Sequence, residues 1–86
     1  MHIELHGAFK KRYKKVPAHV RDHFDERLQV FETEPSHPLL HNHALQGDRR
    51  GQWSINITGD WRALYEFVDA DTVVFVDIDT HSNLYG

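Results

Sequence analysis

Ser54-Ile-Asn-Ile-Thr-Gly-Asp-Trp-Arg-Ala-Leu-Tyr65 decides the fold of this chain. Apolar residues alternate up to a turn and alternate again beyond it, the period of two strands with one buried face. A two-residue Gly59-Asp60 turn would pair Ile57 with Arg62, placing Ile55, Ile57, Arg62 and Leu64 on one face. A three-residue turn, Thr58 to Asp60, pairs Ile57 with Trp61, Ile55 with Ala63 and Trp53 with Tyr65. This second register separates Trp53, Ile55, Ile57, Trp61, Ala63, Tyr65 and Phe67 from Ser54, Asn56, Arg62 and Glu66. A slip of one residue inverts every side chain, so the segregation of apolar residues selects the longer turn, with Leu64 the one misfit.

Working outward, strands are predicted at His43–Leu45, Gln52–Thr58, Trp61–Val68 and Thr72–Thr80, with a short one at Ile3–Leu5. In the last long strand Val74, Val76 and Ile78 fall on one face, and Val73, Phe75, Asp77, Asp79 and His81 on the other. Two helices precede the hairpin. Gly7 to Lys15 forms one. Pro17 to Phe31 forms the other, with Pro17 suited to a first turn and Val16, Val20, Phe24, Leu28 and Phe31 making a single apolar stripe. Glu34-Pro35-Ser36-His37-Pro38 ends it. The expected fold is α+β: two N-terminal helices packed on one face of a twisted, mainly antiparallel four- to five-stranded sheet. No repeat or linker interrupts residues 1–86, so a single domain is expected, with its chemistry on the uncovered face.

Composition limits the classes. With 40% hydrophobic and 27% charged residues the chain reads as globular rather than disordered. Zero cysteines exclude a disulfide scaffold and thiolate metal sites. No apolar run reaches membrane-spanning length and no secretory region follows Met1, so a cytoplasmic protein is expected. The net charge of −3 hides a split: Met1 to Arg27 carries seven Lys/Arg against four Asp/Glu, and the remainder three against nine. Any nucleic-acid contact therefore rests on local patches such as Lys10 to Lys15, against the overall field.

The open face carries a set of groups suited to RNA cleavage. A base is needed for the 2′-OH, a cation for the phosphorane and an acid for the 5′-oxygen. Arg62 projects from mid-sheet with a guanidinium fork for phosphate. His81 stands at the end of the neighbouring strand and serves as acid or base. Asp79, two residues earlier, is placed to orient that ring. Tyr85 offers a face for base stacking.

These residues carry a resemblance that covers nearly the whole chain. His43-Ala-Leu-Gln-Gly47 looks like the His-x-Leu-x-Gly segment of YafQ-like toxins, and Gly59-Asp60-Trp61-Arg62 like the turn before their central strand. Thr80-His81 followed by Leu84-Tyr85 looks like their C-terminal segment. The chain thus resembles the RelE/ParE superfamily of type II toxin–antitoxin toxins, on the side of the RelE/YafQ-type mRNA interferases. That resemblance implies a RelE-like fold and a ribosome-dependent endoribonuclease that cuts translated mRNA by 2′-OH attack, without metal or other cofactor. Its implied partners are a cognate antitoxin with an extended segment that wraps the toxin, the ribosome and mRNA. The implied catalytic set is His43 as base, Asp60 as support, Arg62 for transition-state charge, His81 as acid and Tyr85 for stacking. Expected RNA contacts are Lys10, Lys11, Lys14, Arg49, Arg50, Asn56 and Trp61. Two departures stand out. Asn56 occupies a position where some relatives carry a second histidine, and an amide transfers no protons near neutral pH. Asp79 stands where relatives often have Gly, adding negative charge.

Structural readings compete at each position. Arg62 fits a surface ion pair with Glu66, Asp60 fits a turn-stabilising role, and Trp53 and Trp61 fit the core. The Lys10–Lys15 run is of the kind that is usually a solvated helix face. His37, His41 and His43, or His19 and His23, invite a metal reading but lack thiolate partners or a His-Glu-x-x-His pattern. Two other functions fit the fold: a gyrase inhibitor of ParE type, and a catalytically weak or inactive binding module.

Overall fold

Thr58, Gly59 and Asp60 reverse the chain, and the strands they join meet in the three-residue register. In the computed structural model, which describes residues 1–85, Trp53 lies opposite Tyr65, Ile55 opposite Ala63 and Asn56 opposite Arg62. The Ile57 N–H donates to the Trp61 carbonyl at 2.9 Å. The Thr58 hydroxyl accepts from the N–H groups of Asp60 and Trp61 at 3.3 and 3.1 Å, closing the turn. Gly86, which closes the expected C-terminal cluster and the expected 1–86 domain, lies outside the described residues.

The elements run β1 (His2–Leu5), α1 (Gly7–Lys15), α2 (Ala18–Thr33), β2 (His43–Ala44), β3 (Trp53–Asn56), β4 (Trp61–Asp69), β5 (Thr72–Thr80) and α3 (His81–Tyr85), with 3-10 turns at Pro38–Leu40 and Gly47–Arg49. One sheet orders them β1-β5-β4-β3-β2, with β1 parallel to β5 and the other pairs antiparallel. The α2 stripe works as its spacing requires: Val20, Phe24 and Phe31 are fully buried, and Val16 nearly so. They meet Ile55, Ala63, Tyr65, Val73, Phe75 and Ile78 from the sheet. Phe31 packs edge-on to Tyr65 with centroids 4.9 Å apart, and Phe24 edge-on to Phe75 at 5.6 Å.

The structure departs from the sequence reading in three places. First, β5 does not alternate throughout. Leu64 pairs with Asp77 but Tyr65 with Phe75, so Val76 is an extra residue at a bulge. The bulge resets the parity, and Val73, Phe75 and Ile78 all reach the helix-covered core. Second, the open face is not wholly open. Leu64 and its partner Ser54 are fully buried yet stand outside the main cluster, on the other face. The C-terminal residues form α3 and fold over them, with Leu84 buried and Tyr85 Oη donating to Ser54 Oγ at 3.0 Å. Leu64 is therefore no misfit; it anchors a second, smaller apolar layer. Third, the expected strands Gln52–Thr58 and His43–Leu45 shorten to β3 and β2.

Candidate active site

On the face opposite α1 and α2, a cleft of about 490 Å³ is lined by His41, Asn42, His43, Asn56, Arg62, His81 and Tyr85. Residues 43, 56, 62, 81 and 85 come from four separate elements. The sheet brings the first three together, because β2, β3 and β4 are consecutive neighbours, and α3 brings the last two.

Several of these residues are held by identifiable bonds. Arg62 Nη1 donates to the carbonyls of Thr58 and Trp61 at 2.9 Å each, and Nη2 to that of Gly59 at 3.3 Å. The turn that sets the hairpin register thus also fixes the guanidinium. These bonds engage Nη1 and Nη2, while Nε–H has no hydrogen-bond partner among the described residues and is a donor left for a phosphate oxygen. Among the described residues Arg62 pairs with no carboxylate, and Glu66 instead accepts from Gln52 Nε2 at 3.0 Å.

His81 begins α3, and its N–H donates to the Asp60 carbonyl at 2.7 Å. Its ring meets Tyr85 edge-on, with centroids 4.7 Å apart. His43 Nδ1 lies 2.7 Å from the His41 carbonyl. Asp79 does not orient His81. Its carboxylate accepts from Arg12 Nη1 at 2.7 Å, from Asn83 Nδ2 at 2.9 Å and from the Thr80 N–H at 2.7 Å. Burial alone would raise the Asp79 pKa, but these hydrogen bonds and the Arg12 charge outweigh it and hold the carboxyl below its ordinary value. Arg12 Nε also lies 3.3 Å from Asp77. The negative charge opposite Arg62 in the ladder is therefore countered from α1.

The remaining expected residues fall elsewhere. Asp60 is exposed outside the cleft lining, and it is its carbonyl that reaches α3. Trp61 lies on the helix-covered face, half-buried against the core, because it pairs with Ile57's register and not with Asn56's. Arg49 supports α3, donating from Nε to the Leu84 carbonyl at 3.2 Å and from Nη1 to Gln52 Oε1 at 3.3 Å. Lys10, Lys11 and Lys14 are exposed on α1, and Arg50 is exposed in the loop after the second 3-10 turn; none of them lines the cleft. Sequence reasoning missed three contributors: His41 and Asn42, which line the cleft, and Arg12, which neutralises Asp77 and Asp79. No spacing signal marks a loop residue that acts through its carbonyl, and Arg12 was hidden inside a basic run. Among the described residues no group of three or more His, Asp or Glu side chains is arranged to hold a metal ion.

Comparison with known proteins agrees with this architecture. The family model described as "Bacterial toxin of type II toxin-antitoxin system, YafQ" matches residues 1–86. The endoribonuclease HigB of Proteus vulgaris is 34% identical over an 86-residue alignment covering 88% of this chain and 94% of that protein. The crystal structure of YafQ from E. coli strain BL21(DE3) superposes with a TM-score of 0.78 at 23% identity, covering 98% of this chain and 97% of that one. The RelB-RelE antitoxin-toxin complex from Methanococcus jannaschii gives 0.74 at 22% identity, covering 95% and 94%. At such identities the two structures speak for the fold alone.

Proposed function

The chain belongs to the YafQ family of bacterial type II toxin–antitoxin toxins, and from that premise we propose that it is a ribosome-dependent endoribonuclease that cleaves translated mRNA in the cleft built on Arg62. The observation that carries this reading is the convergence of His43, Arg62, His81 and Tyr85 on one cleft, with the Arg62 Nε–H free of any hydrogen bond among the described residues. The 34% identity to an endoribonuclease supports the same activity.

The chemistry follows from the groups. His43 takes the proton of a ribose 2′-OH, and the 2′-oxygen attacks the adjacent phosphorus. Arg62 bonds the non-bridging oxygens as negative charge grows on them. The P–O5′ bond breaks, and His81 delivers a proton to the departing 5′-oxygen. The products are a 2′,3′-cyclic phosphate and a 5′-hydroxyl. The Tyr85 ring, 38% exposed at the cleft margin, stacks on a base. Asn56 binds without transferring protons. The chain's net charge of −3 gives free RNA little reason to dwell. Delivery of the substrate by the ribosome removes the need for tight general RNA binding. A small antitoxin is the expected protein partner, as in the RelB-RelE complex.

Primer extension on an mRNA translated in vitro tests this reading, with the same RNA lacking ribosomes as control. Cuts that require ribosomes, follow the reading frame and disappear in Arg62→Ala and His81→Ala are the expected result. Intact translated mRNA in the presence of folded wild-type protein would refute it.

A further inference from the structure

We infer that His41 and Asn42 are positioning residues that hold His43 in a single tautomer, with the proton on Nδ1 and the Nε2 lone pair turned to the cleft. Among the described residues His41 is the only non-glycine with positive φ, at 46° with ψ 44°. A residue with a Cβ adopts this left-handed conformation only where its surroundings enforce it. Here the enforcement is visible on both sides. The His41 N–H bonds to the Pro38 carbonyl at 3.2 Å, ending the 3-10 turn. Asn42 then fastens the loop to the core: its Nδ2 donates to the Pro35 carbonyl at 3.0 Å and its Oδ1 accepts from Tyr65 Oη at 2.7 Å. Tyr65 is 1% exposed, wedged between Phe31 and Phe75. The clamp thus extends from the centre of the molecule to the rim of the cleft.

Its consequence is the direction of the His41 carbonyl, which lies 2.7 Å from His43 Nδ1. A carbonyl oxygen has no proton to give, so the ring nitrogen supplies it, and Nδ1 carries hydrogen in neutral His43. Neutral imidazole side chains free in water favour the opposite tautomer, with hydrogen on Nε2. The loop reverses that preference and leaves Nε2 as the acceptor. When Nε2 takes a proton, the Nδ1–H to carbonyl bond becomes charge-assisted and strengthens. The role of His43 as base rests on the function proposed above; the tautomer does not.

Long-range ¹H–¹⁵N correlation spectroscopy on histidine-labelled protein reads the tautomer directly, at a pH where His43 is neutral. The wild type should show hydrogen on Nδ1 of His43 and a bare Nε2. Asn42→Ala, which removes both anchors, and His41→Val, whose branched Cβ opposes positive φ, should return His43 to the Nε2–H form. Asn42→Ala should also lower kcat by about 10- to 100-fold with little change in KM. His41→Gly, which adopts the conformation freely and keeps the carbonyl, should retain the Nδ1–H signal. A wild-type spectrum with hydrogen on Nε2 would overturn the inference, as would an unchanged tautomer in both Asn42→Ala and His41→Val. Failure of the base assignment shows separately, as wild-type cleavage by His43→Ala with the Nδ1–H signal intact in the wild type.

Discussion

Arg62 illustrates how one side chain is prepared before substrate arrives. Its guanidinium rests on the carbonyls of Thr58, Gly59 and Trp61, so little rotamer freedom remains to be lost on phosphate binding. Lysine keeps the charge but can neither span those carbonyls nor present a planar fork. Arg62→Lys should therefore cut RNA about 10²- to 10³-fold more slowly while melting close to the wild type; unimpaired cleavage would show that charge alone suffices. Asp79 gives a pH signature. Its folded pKa is depressed, so its contribution to stability is complete above its unfolded value of about 4 and is lost as pH falls through the folded value. Between about pH 5 and pH 2, denaturant titrations should show a shallower loss of stability for Asp79→Asn than for the wild type. Equal slopes would mean that Arg12, Asn83 and the Thr80 N–H do not favour the carboxylate. The sequence suggested Asp79 as an orienting group for His81. What it could not show was that Arg12, 67 residues away, would reach the carboxylate first.

Among the elements, α3 is the one on which the site depends and the one the sequence concealed. It has five residues, too few for a periodic pattern, and its existence is a tertiary effect. Leu84 is buried, Tyr85 bonds Ser54, Arg49 holds the Leu84 carbonyl and the Asp60 carbonyl holds its first residue. His81 and Tyr85 are positioned by these contacts. Arg49→Ala should accelerate amide hydrogen exchange in residues 82–85 and reduce cleavage by about 10- to 100-fold, through misplacement alone. Its global stability should fall by about 1.5–3 kcal/mol, the scale of a hydrogen bond from a charged donor, for the loss of the bonds to Leu84 and Gln52. Leu84→Ala should cost about 2 kcal/mol or more by leaving a gap beneath the helix. Cleavage at the wild-type rate with α3 freed would separate this element from the chemistry. The bulge at Val76 escaped for a related reason. Alternation was read through a strand whose partner, β4, has one residue fewer at that point, and no turn residue announces the offset.

At the scale of the molecule, the legible part was whatever a period or a turn could encode. The hairpin register followed from Thr58–Asp60 and the partition of Trp53, Ile55, Ile57 and Tyr65, and the α2 stripe from Val20, Phe24 and Phe31. The α+β arrangement followed from those two. Contacts between distant segments were not legible: α3 over Ser54 and Leu64, Asn42 on Tyr65, Arg12 on Asp79. The two faces of the sheet divide the work. One buries the aromatic core against α1 and α2, and the other gathers His43, Arg62, His81 and Tyr85 in a cleft. The central claim is that this cleft transfers phosphorus to a 2′-oxygen, and the chemical ends of the cut mRNA report on it most directly. Mass spectrometry of the fragments should find a 2′,3′-cyclic phosphate, or the phosphate its hydrolysis leaves, upstream of the cut and a 5′-hydroxyl downstream. A 3′-hydroxyl paired with a 5′-phosphate would contradict the account, because those ends require water rather than the 2′-oxygen as nucleophile.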